Sequence, residues 1–220
     1  MNCEVVTDYE LDLFRNIQRM FVCGSSGSGK TTLITRLIKR YGSNFDSIVM
    51  CGVDTHPLQS DKDISPKLHL SPHIVDPREY KTHENQHVLL IIDDLYAEAG
   101  DNPLVRDLYT KGRHDKISVI MVCQNMFYKG KYTRDLSLNV TCFILLRQRD
   151  LVQIEVLGRQ NFGKRAKEFV EIYEKACSES QYGYLLVDLG LNTRKSLTLR
   201  TNCLGEGRHE LVYQFNKSAG

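Results

Sequence analysis

The sequence predicts an α/β domain, with a mainly parallel β-sheet that carries helices on both faces. Five short runs rich in Ile, Val, Leu and Phe indicate buried strands, at residues 20–23, 47–51, 88–92, 117–123 and 140–146. Long connections with helical patterns separate these runs. Strands that alternate with helices favour a parallel sheet with helices packed against it.

The connections with the clearest patterns are the first and the last. A helix is predicted to begin in a glycine-rich loop and to run to about Tyr41, where Gly42 ends it. Its apolar residues share one face: Leu33, Ile34, Leu37 and Ile38. The spacing of apolar residues predicts a second amphipathic helix over 164–176. Two further strands, 182–189 and 196–201, are expected to close the fold as a pair.

A chain of 220 residues fits one domain, so residues 1–220 are interpreted as a single unit. Residues 1–18 are interpreted as an N-terminal extension. Residues 54–84 hold four of the 5 prolines and four of the 7 histidines, which predicts an irregular insertion. No low-complexity linker interrupts the sequence.

The composition excludes several classes of protein. A formal charge of +2 is too small to indicate a nucleic-acid binder by itself, so any DNA contact must come from local patches. The 7 cysteines form no CxxC pair, which favours reduced core thiols over a metal site. No apolar run reaches the ~20 residues of a membrane span, and no secretory signal is evident, so we expect a soluble intracellular protein.

The glycine-rich loop is the strongest motif. The segment GSSGSGKT, residues 24–31, matches G-x-x-x-x-G-K-[ST] between the strand MFVC and an amphipathic helix. Its backbone N–H groups would bind phosphate oxygens, Lys30 would neutralise the β- and γ-phosphates, and the Thr31 hydroxyl would bind Mg²⁺. The motif therefore predicts a P-loop nucleoside triphosphatase that binds ATP with Mg²⁺. Its predicted nucleotide-binding residues are Gly24, Ser25, Ser26, Gly27, Ser28, Gly29, Lys30, Thr31 and, more weakly, Thr32.

An acidic pair follows a second buried strand. VLLIIDDL ends in Asp93 and Asp94, where a P-loop enzyme holds its metal and activates water. Asp93 is the predicted Mg²⁺ ligand, and Asp94 would orient or deprotonate the attacking water. That second carboxylate favours hydrolases of the additional-strand, RecA/FtsK-like class over small-molecule kinases. The alternative is a turn or a helix cap.

Two more residues are candidates for catalysis. Gln124 follows the apolar run 117–123, so its amide would lie at the carboxyl end of a strand, where it could sense the γ-phosphate or the water. In the additional-strand arrangement this strand lies between the phosphate-loop strand and the acidic strand. Arg113 could stabilise charge on the transferred phosphate, in cis or from a neighbouring subunit. The alternatives are a turn hydrogen bond for Gln124 and simple surface solvation for Arg113.

Nearly the whole chain resembles one known family, the DNA-packaging ATPases of the FtsK–HerA superfamily. The resemblance is to those of Maverick/Polinton elements, adintoviruses and, more distantly, poxviruses. It is carried by MFVCGSSGSGKTTLI, LLIIDDL, YTKGRHDKISVIMVCQNMFYKGKYTRDLSLN, LLRQRDLVQIEVLGRQNF, and YGYLLVDL followed by LRTN. The first two segments are generic to P-loop proteins, and the long central segments are more specific.

This resemblance implies an ATP-driven motor that assembles as a homo-oligomeric ring and pumps double-stranded DNA into a capsid. It also implies a capsid or portal-vertex partner, and a location in the nucleus or viral factory of the host cell and in the virion. Lys30, Thr31, Asp93 and Gln124 take their roles from the matched motifs, and Arg113 is the candidate trans-acting finger.

Basic and aromatic residues that follow Gln124 fit contacts with a phosphate backbone. They are Lys129, Lys131, Arg134, Phe127, Tyr128 and Tyr132, with Arg147, Arg149 and Arg159 further along. A solvated charged face explains any one of these cations equally well. Three alternatives to the packaging motor stay open: a small-molecule or nucleotide kinase, another DNA-dependent translocase, and a DNA-binding module in which ATP only orders the fold.

Overall fold

The computed structural model describes residues 2–6, 13–191, 193–202, 204 and 210–216. Ten strands lie within these residues: β1 (Asn2–Val6), β2 (Arg19–Cys23), β3 (Ser47–Cys51), β4 (Leu68–Ser71), β5 (Val88–Asp93), β6 (Ile117–Cys123), β7 (Cys142–Leu146), β8 (Tyr184–Asp188), β9 (Leu199–Thr201) and β10 (Glu210–Gln214). The α-helices of the described residues are α1 (Lys30–Tyr41), α2 (Tyr96–Asp101), α3 (Pro103–Lys111), α4 (Thr133–Leu138), α5 (Val152–Phe162) and α6 (Ala166–Ser178).

The strands form one sheet in the order β1-β10-β9-β8-β7-β2-β6-β5-β3-β4. Strands β2 to β7 run parallel to one another. Strands β8, β9, β10 and β1 each run antiparallel to the preceding neighbour and extend the sheet on one side. Strand β6 lies between β2 and β5, as the additional-strand arrangement predicts. The predicted α/β class with a mainly parallel sheet is confirmed.

Helices cover both faces of the sheet. On one face, the apolar side of α1 packs on Met20, Val22 and Ile144 in a buried cluster. On the other face, apolar residues of α3, α5 and α6 pack around Phe21 and Phe143. This burial on both faces explains why the central strands are continuous apolar runs. It also fixes β2 and α1, the two elements that flank the glycine-rich loop.

The predicted strands and helices are present, with small shifts at their ends. Strand β5 extends one residue to Asp93, and β7 begins at Cys142 instead of residue 140. The predicted closing pair, β8 and β9, is antiparallel but shorter than expected. Helix α6 begins at Ala166, after a single 3₁₀ turn over Gly163–Arg165. Shifts of this size are normal at element ends, where helices fray and strand pairing stops.

The structure adds detail to both segments that the sequence singled out. Residues 54–84 are mainly irregular, but they contain three short 3₁₀ turns and β4, which pairs parallel with β3 at the edge of the sheet. In the N-terminal segment, β1 pairs with β10, and the buried Leu13 and Phe14 pack in the same cluster as α1. No helix of the described residues is long and apolar enough to cross a membrane.

Candidate active site

The glycine-rich loop is held between two strand ends. The Gly24 N–H donates to the Cys123 carbonyl oxygen at 3.2 Å, and the Ser25 N–H donates to the Arg147 carbonyl oxygen at 3.1 Å. These bonds fasten the loop to the ends of β6 and β7. A Cβ on residue 24 would lie 2.3 Å from Ser28 Oγ and 2.8 Å from Leu146 Cβ, so a larger residue here would displace its neighbours. The sequence therefore folds here into a compact turn at the carboxyl edge of the sheet.

The loop ends at the N-terminus of α1. Gly29 is the N-cap and has a φ of 97°, a left-handed conformation that side chains disfavour. Because glycine has no side chain, it cannot cap the first N–H groups of the helix. The first turn also contains no acidic residue. These N–H groups and the helix dipole are thus available to an anion, as the phosphate-loop motif predicts.

The Lys30 ammonium folds back over this loop. Its Nζ donates to the Gly24 carbonyl oxygen at 2.9 Å and to the Ser25 carbonyl oxygen at 3.2 Å. Thr31 and Thr32 are exposed on the first turn of α1. The loop backbone, one cation and a hydroxyl therefore converge on one small area, which is the set that a nucleotide triphosphate with Mg²⁺ requires.

The acidic pair lies at the carboxyl end of β5. Asp93 is half-buried, and burial together with the neighbouring Asp94 raises the pKa of its carboxyl group. Lys30 and the backbone N–H of Asp94 lower that pKa. Asp94 is exposed and has a φ of 55°, an uncommon conformation for a residue with a side chain. The carboxyl end of β5 therefore carries two carboxylates, and Lys30 is close enough for its positive charge to lower the pKa of Asp93.

Gln124 is brought to the same edge by the register of the parallel strands. Cys23 pairs with Cys123 and Asp93 pairs with Val122, so the ends of β2, β5 and β6 are level. Gln124 is exposed there, and its carbonyl oxygen accepts the Cys23 Sγ–H at 3.5 Å. The structure thus brings together Lys30, Asp93, Asp94 and Gln124. Their catalytic roles stay predictions.

Arg113 lies at the other edge of the sheet. It precedes the amino end of β6, in a turn whose Lys116 carbonyl oxygen accepts the Val88 N–H at 3.1 Å. Strand β6 has 7 residues, a length of about 20 Å at ~3.3 Å per residue. The phosphate loop of the same chain is at the far end of β6 from Arg113, an arrangement that does not favour action in cis. Action on the nucleotide of a neighbouring subunit stays a prediction.

The end of β7 supplies contacts that the sequence analysis did not assign to the loop. The Ser25 hydroxyl donates to Gln148 Oε1 at 3.2 Å and accepts the Arg149 N–H at 2.9 Å. The Gln148 N–H donates to the Tyr173 hydroxyl of α6 at 2.8 Å. Arg147 and Arg149, interpreted from the sequence as DNA contacts, thus lie beside the phosphate loop. The polar run that follows the buried strand β7 could have predicted these contacts, because the same pattern predicts that Gln124 lies at the carboxyl edge of the sheet.

Comparison with known proteins identifies the family. Residues 72–188, a little over half of the chain, match the model described as the poxvirus A32 protein. The chain belongs to the poxvirus A32 protein family. The matched region of this A32-family chain runs from the end of β4 to the end of β8, so it includes the acidic pair, Gln124 and the end of β7. A search of curated proteins finds no match.

Solved structures of a viral genome packaging NTPase have the same fold as this chain. The genome packaging NTPase B204 of Sulfolobus turreted icosahedral virus 2 in complex with AMPPCP is 18% identical, with a TM-score of 0.56. The alignment covers 84% of the A32-family chain and 96% of B204. B204 described as the DNA-packaging ATPase of Sulfolobus turreted icosahedral virus is 15% identical over 78% of this chain and 92% of that one, with a TM-score of 0.54.

The family match identifies the family of this chain, and the structural match shows its fold. Membership of the poxvirus A32 family confirms the predicted resemblance to poxvirus-like packaging ATPases. The likeness to B204 shows the fold, and it confirms the predicted P-loop architecture in this A32-family chain. The comparisons give no support to the kinase alternative.

Proposed function

We propose that this chain is an ATP-hydrolysing motor that moves double-stranded viral DNA into a capsid during virion assembly. The observation that carries the proposal is the meeting of the phosphate loop, Asp93 and Gln124 at one sheet edge, with β6 between β2 and β5. That arrangement is typical of P-loop motors that hydrolyse ATP, and the chain belongs to the poxvirus A32 family. B204, which has the same fold, is described as a packaging ATPase and is known in complex with ATPγS.

The oxygen donors of the site fit Mg²⁺. The Thr31 hydroxyl and the Asp93 carboxylate are hard ligands, and Mg²⁺ on a nucleotide takes few protein ligands besides phosphate oxygens and water. The pKa of Asp93 is raised first by burial and then by repulsion from the neighbouring carboxylate of Asp94. A divalent cation would relieve that repulsion. When bound, Mg²⁺ would neutralise charge on the β- and γ-phosphates.

Each side chain at this edge of the sheet would then have a different role in hydrolysis. Water attacks the γ-phosphorus, the bond from that phosphorus to the β-phosphate oxygen breaks, and ADP and phosphate leave. Lys30 stabilises charge on the phosphates, and the Gln124 amide orients the water. Asp94 accepts the proton of the water. Its side chain is shorter than that of Glu, but it is exposed and directly follows Asp93 at the end of β5.

The DNA surface that we propose is the segment 125–135, which follows Gln124. Phe127 and Tyr128 are exposed there by 36% and 43%. The Lys131 ammonium lies 5.0 Å from the centre of the Tyr132 ring. Cations interleaved with aromatic rings suit sequence-independent contact with a phosphate backbone. Lys129 extends the positive charge of this segment.

The same segment is joined to both catalytic strands. The Tyr96 hydroxyl, two residues after Asp94, donates to the Met126 carbonyl oxygen at 2.9 Å. The Met126 N–H donates to Gln153 Oε1 of α5 at 2.8 Å. A movement of Asp94 or Gln124 on hydrolysis would therefore reach the DNA surface within a few residues. A homo-oligomeric ring would place several such segments around one duplex, and Arg113 would then reach a neighbour's nucleotide.

A capsid or portal-vertex protein would receive the ring, and the motor would act in the nucleus or viral factory of the host cell and accompany the virion.

Double-stranded DNA is expected to stimulate ATP hydrolysis, and added salt is expected to remove the stimulation, because phosphate contacts release counterions. Steady-state phosphate release with and without linear duplex DNA, between 50 and 200 mM salt (roughly the range over which such contacts weaken), measures this. Activity that ignores DNA but requires a small acceptor molecule would instead support the kinase alternative.

The double variant Lys129→Ala, Lys131→Ala should lose most of this stimulation while its activity without DNA is retained. If both ammonium groups contact phosphates, the plot of log K for DNA binding against log salt concentration should become less steep by about 2, since each contact contributes ~0.9 to the magnitude of its slope. Lys62→Ala, Lys167→Ala is the matched control, because it removes two exposed cations elsewhere on the surface. Equal loss in both double variants would mean that overall charge, and not this segment, attracts DNA.

A further inference from the structure

Tyr182 lies against the last glycine of the phosphate loop. It belongs to the turn between α6 and β8, and its side chain is 39% exposed. A Cβ on residue 29 would lie 2.6 Å from Tyr182 Cδ1 and 3.1 Å from its Cγ, so the ring packs directly over Gly29. Gly29, Thr32, Leu33, Arg36, Tyr182 and Tyr184 surround this contact and enclose no space large enough for a water molecule, so a ligand would lie on the exposed face of the Tyr182 ring.

The strand order decides which part of a nucleotide would reach the exposed face of Tyr182. Asp93 and Gln124, which act at the γ-phosphate, stand at the ends of β5 and β6, on one side of β2. The rest of the nucleotide must then extend to the opposite side of the loop, toward β7 and β8. Tyr184 pairs with Leu146, the last residue of β7, so Tyr182 stands at the same carboxyl edge as the loop.

We propose that Tyr182 is the platform on which the base of the bound nucleotide stacks. The inference rests on the proposed nucleotide-binding function and adds the group that recognises the base. A tyrosine ring offers a large flat face at low conformational cost, and stacking needs no fixed pattern of hydrogen bonds. Arg36 is exposed on the next turn of α1, beside Tyr182, where its guanidinium would line the edge of the base or ribose.

The test separates the base from the phosphates of the ligand. The full chain with Mg²⁺ is titrated with a fluorescent ATP analogue, and ATP or inorganic tripolyphosphate is used to displace it. Tyr182→Ala should raise the Kd of ATP about tenfold, which corresponds to ~1.4 kcal/mol. The Kd of tripolyphosphate, which has no base, should stay within about twofold. Tyr182→Phe should bind ATP as the unsubstituted chain does, because the ring face is kept.

Leu191→Ala is the control for removing an exposed apolar side chain, since Leu191 is fully exposed beyond the far end of β8. Thermal melting of each variant shows that the fold is retained. If Tyr182→Ala weakens ATP and tripolyphosphate equally, the ring shapes the phosphate loop and the stacking inference is overturned. Unchanged ATP affinity in Tyr182→Ala overturns it as well. In both cases the proposed motor stands, whereas failure of the unsubstituted chain to bind either ligand would refute the proposed function itself.

Discussion

Lys30→Ala is expected to abolish ATP hydrolysis, with a fall in kcat of about 10³-fold, the scale seen when a preorganised charge-stabilising group is removed. The structure holds the Lys30 ammonium 2.9 Å from the Gly24 carbonyl oxygen, over the loop that would carry the phosphates. An alanine offers no charge there, and water cannot replace a fixed cation at the moment when charge moves to the leaving oxygen. Steady-state phosphate release measures the loss.

The fold should survive this change. Lys30 is the first residue of α1 and is only half-buried, and alanine is the best helix former. The matched control is Lys39→Ala, which removes an exposed lysine from the last turn of the same helix. Control and variant should melt at similar temperatures, while only Lys30→Ala loses turnover. Unimpaired turnover in Lys30→Ala would contradict the assignment of the phosphate loop.

The central sheet could be predicted from the sequence because strands that are buried on both faces consist almost entirely of apolar residues. Strands β3 and β6 appear in the sequence as uninterrupted apolar runs, and the structure gives them the predicted bounds. The site followed from the same signal, since a polar residue directly after such a run must lie at the carboxyl edge. Asp93 and Gln124 were found in this way, and their approach to the loop depends only on the parallel register.

Other features depend on contacts between distant parts of the chain. Tyr182 packs over Gly29 although 153 residues separate them in the sequence, and no local pattern announces such a contact. The edge strand β4 has half-buried side chains, so its apolar run is too short and mixed to predict. Helices α2 and α4 have 6 residues each, fewer than two turns, which is too few for an amphipathic pattern to emerge.

Arg113 shows a different reason why the sequence was not sufficient. The residue type alone left action in cis or in trans open, whereas the side of the strand decides at which edge of the sheet the residue lies. Residues that precede a parallel strand lie at the amino edge, and residues that follow it lie at the carboxyl edge. The same rule moves Arg147 and Arg149 to the phosphate loop, because they follow β7. The position of each arginine before or after its strand, and not the residue type, decides whether it lies near the phosphate loop.

Asp93→Asn is expected to abolish turnover as fully as Lys30→Ala, because an amide cannot supply the negative charge that holds Mg²⁺ on the nucleotide. The control is Asp63→Asn, which changes an exposed carboxylate in the segment between α1 and β5. Phosphate release at saturating ATP and varied Mg²⁺ measures both variants. Recovery of Asp93→Asn at high Mg²⁺ would indicate weakened metal affinity, whereas full activity at low Mg²⁺ would exclude Asp93 as a ligand.

The same substitution should stabilise the metal-free protein at neutral pH. Burial and Asp94 raise the pKa of Asp93 in the folded state above the ordinary value of 3.8. The folded chain then binds the proton more tightly than the unfolded chain, so stability falls as pH rises from 3.8 through the folded pKa. Asparagine does not ionise, so in EDTA at pH 7 the variant should melt above the unsubstituted chain. The difference should shrink as the pH is lowered toward 3.8. A lower melting temperature for the variant at pH 7 would mean that the Asp93 carboxylate stabilises the fold. A higher melting temperature, as expected, would mean that the charge of Asp93 destabilises the metal-free fold and is retained because it binds the metal.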